Sequence, residues 1–327
     1  RIDFRDPKIW KEEDTYYALI ANRSKGGGQV LLYSSRDIRH WTFVSVFDKS
    51  EEKYGEMWEC PDFFPLDGQE ILLVCPQFMQ AQGLEFHNGN NSVYYLGTYD
   101  KKQYVFDYKS VYSLDDGLDF YAPQTMLTPD GRRIMVGWMQ SWDSNIRPAE
   151  QKWSCMMTLP RELRMEQGKL VQSPVREIEK YYRNAVSYQN MEISGQCQMQ
   201  GIKGRVLDMT VEIVCGEYRQ FTISFAQNER YHTDFMIQKD SNMIEFNRTY
   251  SGMVRDAIAI RKTKIKTSTD RLQIRLVLDK YSAEVFLNDG QQVFSSTFYT
   301  PMEADEISFV CDGKAIVNIQ KYDIVVD

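Results

Sequence analysis

Apolar and polar residues alternate with a period of two along most of this chain, the spacing of half-buried β-strands rather than of helices. The runs WTFVSVF (41–47), EILLVC (70–75), NSVYYLGTY (91–99) and RRIMVGWMQ (132–140) are rich in β-branched and aromatic residues. Turn signals separate them: Asp67-Gly68, Asp116-Gly117 and Pro129-Asp130-Gly131. The stretches GGQVLLYSSRDIRHW, GQEILLVCPQ and DGRRIMVGWMQSW each place a turn ahead of an apolar strand, as one strand per blade of a propeller would. Residues 172–184 break the pattern. Ser173-Pro174 reads as a cap and first-turn proline, and Val175, Ile178, Tyr181 and Tyr182 recur at helical spacing, which predicts a short helix. Alternation then resumes. Phe221, Ile223 and Phe225 point one way, as do Leu272, Ile274, Leu276 and Leu278, and Asn288-Asp289-Gly290 predicts a tight hairpin. The expected fold class is all-β: short antiparallel strands over 1–170 that suit a sandwich, barrel or propeller, a helical linker at 171–188 and a β-sandwich over 189–327.

Composition narrows the function classes. Thirty-nine Lys and Arg against 46 Asp and Glu give a net charge of −7 over 327 residues. That argues against a nucleic-acid partner and leaves no polybasic patch for a membrane. No apolar run approaches the roughly 18 residues of a membrane helix. Aromatics make up 13 %, with 20 Tyr and 6 Trp, which suits β-structure and stacking on sugars. Six cysteines contain no Cys-x-x-Cys pair, and three histidines lack ligand spacing, so neither a metal nor another cofactor is expected. Widely spaced cysteines in an enzyme-sized chain fit reduced thiols and a cytoplasmic setting. The chain begins at Arg1, so a missing signal peptide decides nothing about secretion.

Three segments carry carboxylates suited to chemistry. In Phe4-Arg5-Asp6-Pro7, Arg5 beside Asp6 would keep that carboxylate ionised, although such a triplet also suits a surface turn. In Met57-Trp58-Glu59-Cys60-Pro61-Asp62-Phe63, apolar neighbours would raise the pKa of Glu59 towards that of a general acid, the plain alternative being a strand-end Glu with its head in water. Asp119, followed by Phe120 and Tyr121, could bind sugar hydroxyls or cap a turn. Trp138 and Trp142 could form a stacking wall or fill a core.

Taken together and in this order, FRDPKIW, LLYSSRDIRHW, WECPDFFPL, LDFYAPQTM, GRRIMVGWMQSW, TLPREL and LVLDKYSAEVFLNDG resemble the blocks of glycoside hydrolase family 32, the invertases, sucrose-6-phosphate hydrolases and fructan hydrolases. The segment MQAQGLEFHNGNNSVYYLGTYD is similar to the bacterial, intracellular type. The resemblance implies a five-bladed β-propeller followed by a β-sandwich, and retaining cleavage of a fructosyl bond in sucrose, sucrose 6-phosphate or fructan. It implies Glu59 as acid/base, Asp6 as transition-state stabiliser with Arg5 beside it, and Asp119 and Trp138 at the fructosyl unit. The family's nucleophilic Asp lies in a Trp-Met-Asn-Asp-Pro-Asn-Gly block, which this sequence lacks. On that basis the propeller is expected to be partial and this stretch alone inactive, associating through open strand edges with a second copy or with an N-terminal segment. A non-catalytic sugar-binding protein and a fructosyltransferase are the alternatives; an intact Glu59 block disfavours the first.

Overall fold

The computed structural model describes residues 3–50, 52–140, 142, 146–148, 151–253, 257–267 and 272–326. The chain forms two compact units, Arg1–Leu114 with Phe120–Trp138, and Asp115–Asp119 with Met139–Asp327. It is all-β, as the alternation of side chains predicts, a partial propeller followed by a sandwich, as the resemblance implies.

In the first unit, β1 (Phe4–Glu12), β2 (Thr15–Ser24), β3 (Gly27–Ser35) and β4 (Thr42–Lys49) make a four-stranded antiparallel meander, one propeller blade. The strands β5 (Met57–Leu66), β6 (Gln69–Gln77), β7 (Val93–Asp100) and β8 (Val105–Ser113) repeat it, and β9 (Tyr121–Leu127) with β10 (Arg133–Trp138) adds a hairpin. Asp67 and Gly68, both at positive φ, close the β5–β6 turn as their sequence signal requires. Leu19, Val30 and Leu32 of the first blade pack with Trp58, Leu72, Val74 and Tyr95 of the second in one fully buried core. Each such side chain contributes about 1.5–3 kcal/mol on burial. Gly28 is required there, because a Cβ would lie 2.4 Å from the Trp58 ring. Trp58 is also fixed by its indole N–H, which donates to the Tyr54 carbonyl at 2.6 Å.

The second unit opens with a hairpin of β11 (Arg161–Glu166) and β12 (Lys169–Pro174). The helix expected over 172–184 shrinks to a 3-10 turn, Arg176–Tyr181, whose N-cap is Val175 and carries no side-chain cap. Pairing outweighs the capping signal: Ser173 and Pro174 register opposite Glu162 and Arg161, and the Ser173 hydroxyl donates to the Asp289 carbonyl at 3.1 Å. The sandwich follows, with β13 (Tyr182–Cys197), β14 (Leu207–Gln227), β15 (Thr233–Gln238), β16 (Met243–Asn247), β17 (Ile260–Lys264), β18 (Leu272–Asp279), β19 (Ser282–Leu287), β20 (Gln292–Thr297) and β21 (Glu306–Ile324). The 21-residue β14 pairs with β18 through its first half, with β15 through its second, and with β21 along its length. Bulges along the β14–β21 pairing bend both strands, so that one sheet curls over its own core of Met209, Val211, Phe225, Phe246, Leu276 and Phe309.

Buried ion pairs anchor this unit. Arg161 is fully buried between Glu284 (2.6 Å) and Asp115 (3.1 Å), and burial opposes its charge less than these partners support it. Arg248 meets Asp119, whose Oδ2 also accepts from the Thr297 amide and hydroxyl, each at 2.7 Å. Gly117, between these two acids, lies so close to Ser295 that a Cβ would sit 2.2 Å from its backbone. Among the described residues, no helix is long and apolar enough to cross a membrane. Replacing Arg248 by Met strips the buried Asp119 of its guanidinium. We expect urea unfolding to show a loss of about 3–5 kcal/mol, and a loss below about 1 kcal/mol would contradict the anchoring role.

Candidate active site

Three strands of the first unit share one irregularity. Between Arg5 and Lys8 of β1, between Glu59 and Asp62 of β5, and between Tyr121 and Gln124 of β9, two residues face a single residue of the neighbouring strand. This is a β-bulge, a device that re-aims side chains. In each case the first bulged residue has positive φ (Asp6 60°, Cys60 49°, Ala122 50°) and the second is proline: Pro7, Pro61, Pro123. A left-handed non-glycine residue ahead of proline is strained, at about 1–3 kcal/mol each, and such strain clusters at functional sites.

The bulges bring equivalent positions of the three strands together. In one layer, Arg5 Nε donates to Glu59 Oε1 at 2.7 Å and the Tyr121 hydroxyl donates to Glu59 Oε2 at 2.7 Å. Arg5 also reaches Asp3 at 3.2 Å and Gln77 Oε1 at 3.4 Å. In the next layer, Asp6 Oδ2 accepts the Cys60 amide at 3.1 Å and its thiol at 3.6 Å. In the third, Lys8 Nζ spans Asp62 Oδ2 (3.1 Å), Gln124 Oε1 (3.2 Å) and the Thr125 carbonyl (2.7 Å), while Asp62 takes the Thr125 amide at 2.7 Å. Thus β1 is tied to β5 at three depths, and β9 joins them in the first and third.

Glu59 is buried, 6 % exposed, with each carboxylate oxygen held by a donor from a different strand. Its company differs from the apolar set that its sequence neighbours suggest. Successive side chains on a strand point to opposite faces. Trp58 therefore packs at a tilt against Tyr95 (ring centroids 5.2 Å), and Phe63, past the bulge, packs edge-on to Phe47 (5.0 Å). For the same reason Arg5 pairs with Glu59 rather than with its neighbour Asp6. Burial opposes the Arg5 charge, but hydrogen bonds to Glu59 and Asp3 outweigh it and raise its pKa. Burial first, then Cys75 and Glu59, hold the Tyr121 phenol far above its ordinary pKa, so it stays a neutral donor. A hydrogen bond with Cys75 and burial likewise keep the Cys60 thiol protonated, unsuited to attack as a thiolate.

The structure thus brings Arg5 against Glu59 and Asp6 against the adjacent Cys60, and Trp138 lies edge-on to Tyr121 with ring centroids 6.4 Å apart. Asp119 is placed differently. It is fully buried in the second unit with its oxygens engaged by Arg248 and Thr297, and these surroundings support an anchor rather than a sugar contact. Trp142, also in the second unit, is 63 % exposed. Tyr121, Lys8 and Asp62 escaped the reading of the sequence. The signal was there as a repeat: Phe-Arg-Asp-Pro-Lys, Trp-Glu-Cys-Pro-Asp and Phe-Tyr-Ala-Pro-Gln share an aromatic residue, a bulge and a polar tie. No cluster of acids, cysteines and histidines among the described residues suits a metal ion. In thermal unfolding, Lys8→Met is expected to be strongly destabilising, by about 3–5 kcal/mol, because it isolates a buried carboxylate. Adding Asp62→Asn, which removes that charge, should recover part of the loss; a double variant worse than Lys8→Met would refute the tie.

The chain is similar to known proteins. The model of the glycosyl hydrolases family 32 N-terminal domain matches residues 1–174, and that of the family 32 C-terminal domain matches residues 177–325. The chain is 33 % identical to a sucrose-6-phosphate hydrolase of Staphylococcus xylosus over 98 % of its own length, and 34 % identical to a raffinose invertase of Escherichia coli over 96 %. It spans 65 % of the length of each. Among solved structures, the Bombyx mori GH32 beta-fructofuranosidase BmSUC1 superposes with a TM-score of 0.82 at 28 % identity, covering 98 % of this chain and 66 % of that one. A mutant of that protein in complex with sucrose gives 0.81 at 29 %, with the same coverage. Matched by family models along nearly its whole length, the chain belongs to glycosyl hydrolase family 32.

Proposed function

We propose that this protein is a β-fructofuranosidase that hydrolyses the fructosyl bond of sucrose or sucrose 6-phosphate with retention of configuration. The observation that carries the reading is the two-handed grip on Glu59 by Arg5 and Tyr121, one residue from the Asp6–Cys60 contact. The names of the similar proteins support the substrate class.

In this reading Glu59 gives its proton to the bridging oxygen as the bond to the fructose anomeric carbon breaks. The electron pair of that bond leaves with the alcohol. Asp6, held by the Cys60 amide, favours the oxocarbenium charge. A second carboxylate, which family resemblance assigns to an Asp-containing block that this sequence does not contain, takes the fructosyl group. Glu59 then acts as base for the water that releases it. Arg5 and Tyr121 orient Glu59, and Trp138 presents a ring to the sugar. Asp119 has no part, its oxygens being already engaged. Six unpaired cysteines support a cytoplasmic setting.

Sugar chromatography of the full-length protein with sucrose tests the reading. Glucose and free fructose are expected, with kcat at least a hundredfold lower in Glu59→Gln. Fructo-oligosaccharides instead would mean transfer, and an unaffected Glu59→Gln variant would refute the assignment. We also propose that residues 1–327 by themselves associate through the first blade, where Phe4, Phe43 and Val46 are 39 %, 51 % and 38 % exposed. Light scattering is expected to show dimers or larger species; a well-behaved monomer at high concentration would contradict this.

A further inference from the structure

The strand that carries Tyr121, β9, starts from a segment held by the second unit. Residues 115–119 lie along β20. The Asp116 amide donates to the Val293 carbonyl at 2.8 Å, and the Leu118 and Asp119 amides both donate to the Ser295 carbonyl, at 2.8 and 3.0 Å. Each acid of the segment meets a cation: Asp115 pairs with Arg161 at 3.1 Å, Asp116 with Lys266 at 2.9 Å and Asp119 with Arg248. Between them the Gly117 carbonyl accepts from Arg261 Nε at 3.2 Å.

Asp119 is the last of these anchors and the nearest in the chain to Glu59's donor. Its partner is itself fixed. Arg248 donates to the Thr297 carbonyl at 3.1 Å and, through Nε and Nη2, to the Ile258 carbonyl at 3.1 and 2.9 Å. The two remaining faces of the planar fork meet the two oxygens of Asp119. A buried ion pair adds little net stability over an apolar pair of the same shape, and its best-attested use is to fix position.

The chain passes from the second unit to the first between Asp119 and Phe120. Tyr121 follows two residues after the anchor, a reach of about 7 Å. Its ring is buried, and its hydroxyl donates to Glu59 Oε2 at 2.7 Å. Next comes Ala122, the left-handed residue of the third bulge. Such strain persists where both flanks are held. Pairing with β10 holds the downstream flank, and the Arg248–Asp119 clamp holds the upstream one.

We propose that Arg248 is a positioning residue of the reaction: by clamping Asp119 it sets Tyr121, and Tyr121 sets the direction of the Glu59 carboxyl group. The role rests on the proposed fructosidase reading, in which Glu59 protonates the leaving oxygen. Asp119 and Arg248 act along the chain and take no part in the chemistry itself.

Leaving-group dependence tests this in the full-length protein. Arg248→Lys keeps the buried charge and loses the fork. Its kcat/KM on sucrose is expected to fall about five- to fiftyfold. On β-fructosyl fluoride, whose leaving group needs no proton, kcat/KM should stay within about twofold of the parent. A role in folding alone would cut both substrates alike, in step with the folded fraction read by circular dichroism. Thr297→Val removes one donor to Asp119 and leaves the ion pair, so it tests the clamp even if Arg248→Lys does not fold. It should show the same selectivity, at about two- to tenfold, and Thr297→Ser should match the parent. Equal losses on the two substrates, or unchanged sucrose kinetics in either folded variant, would overturn the positioning role and leave the fructosidase reading standing. A parent protein that cleaves neither substrate would overturn that reading, and this role with it.

Discussion

The site depends on one backbone constraint, imposed three times: a left-handed residue followed by proline in the strands that carry Arg5, Glu59 and Tyr121. A regular strand would send these side chains and their neighbours to alternate faces without offset. The extra residue at Asp6, Cys60 and Ala122 shifts that alternation by one position, so that the residues before and after each bulge make their contacts on new partners. The strain is of order 1–3 kcal/mol per bulge. Ties across the strands offset it: Arg5 to Glu59 and Tyr121 to Glu59 ahead of the bulge, Lys8 to Asp62 and Gln124 after it.

This arrangement gives the two acids different surroundings. Glu59 is buried and gripped by one cationic and one neutral donor, which fix the direction of its oxygens. Asp6 is partly exposed and accepts from the backbone and thiol of Cys60. The same bulge that places Glu59 thus supplies the amide that orients Asp6, and neither acid can move without disturbing the other strand.

Much of the fold was legible in the sequence because strand alternation and Asp-Gly turns are local signals. Asp67-Gly68 and Asn288-Asp289-Gly290 turn where they should. The short helix was misread because Ser173-Pro174 imitates a helix start, while the force that decides its fate, pairing with β11, comes from a partner 12 residues away. Arg5, Asp6, Glu59 and Trp138 were legible as chemistry but not as geometry. Adjacent residues look like partners in a string, whereas strand alternation separates Arg5 from Asp6 and Trp58 from Glu59. Tyr121 was hidden behind Asp119, whose carboxyl group drew the eye although its own partners, Arg248 and Thr297, lie far along the chain.

We propose that the bulge-built grip makes Glu59 the acid and base of a retaining fructosyl transfer to water. Azide rescue tests it most directly. In the full-length protein, Glu59→Ala should fail on sucrose but still accept β-fructosyl fluoride, whose leaving group needs no proton. Added azide should then restore turnover and yield fructosyl azide of retained configuration, because azide needs no base to attack the covalent intermediate. Full sucrose hydrolysis by Glu59→Ala, no rescue by azide, or an inverted product would contradict the account.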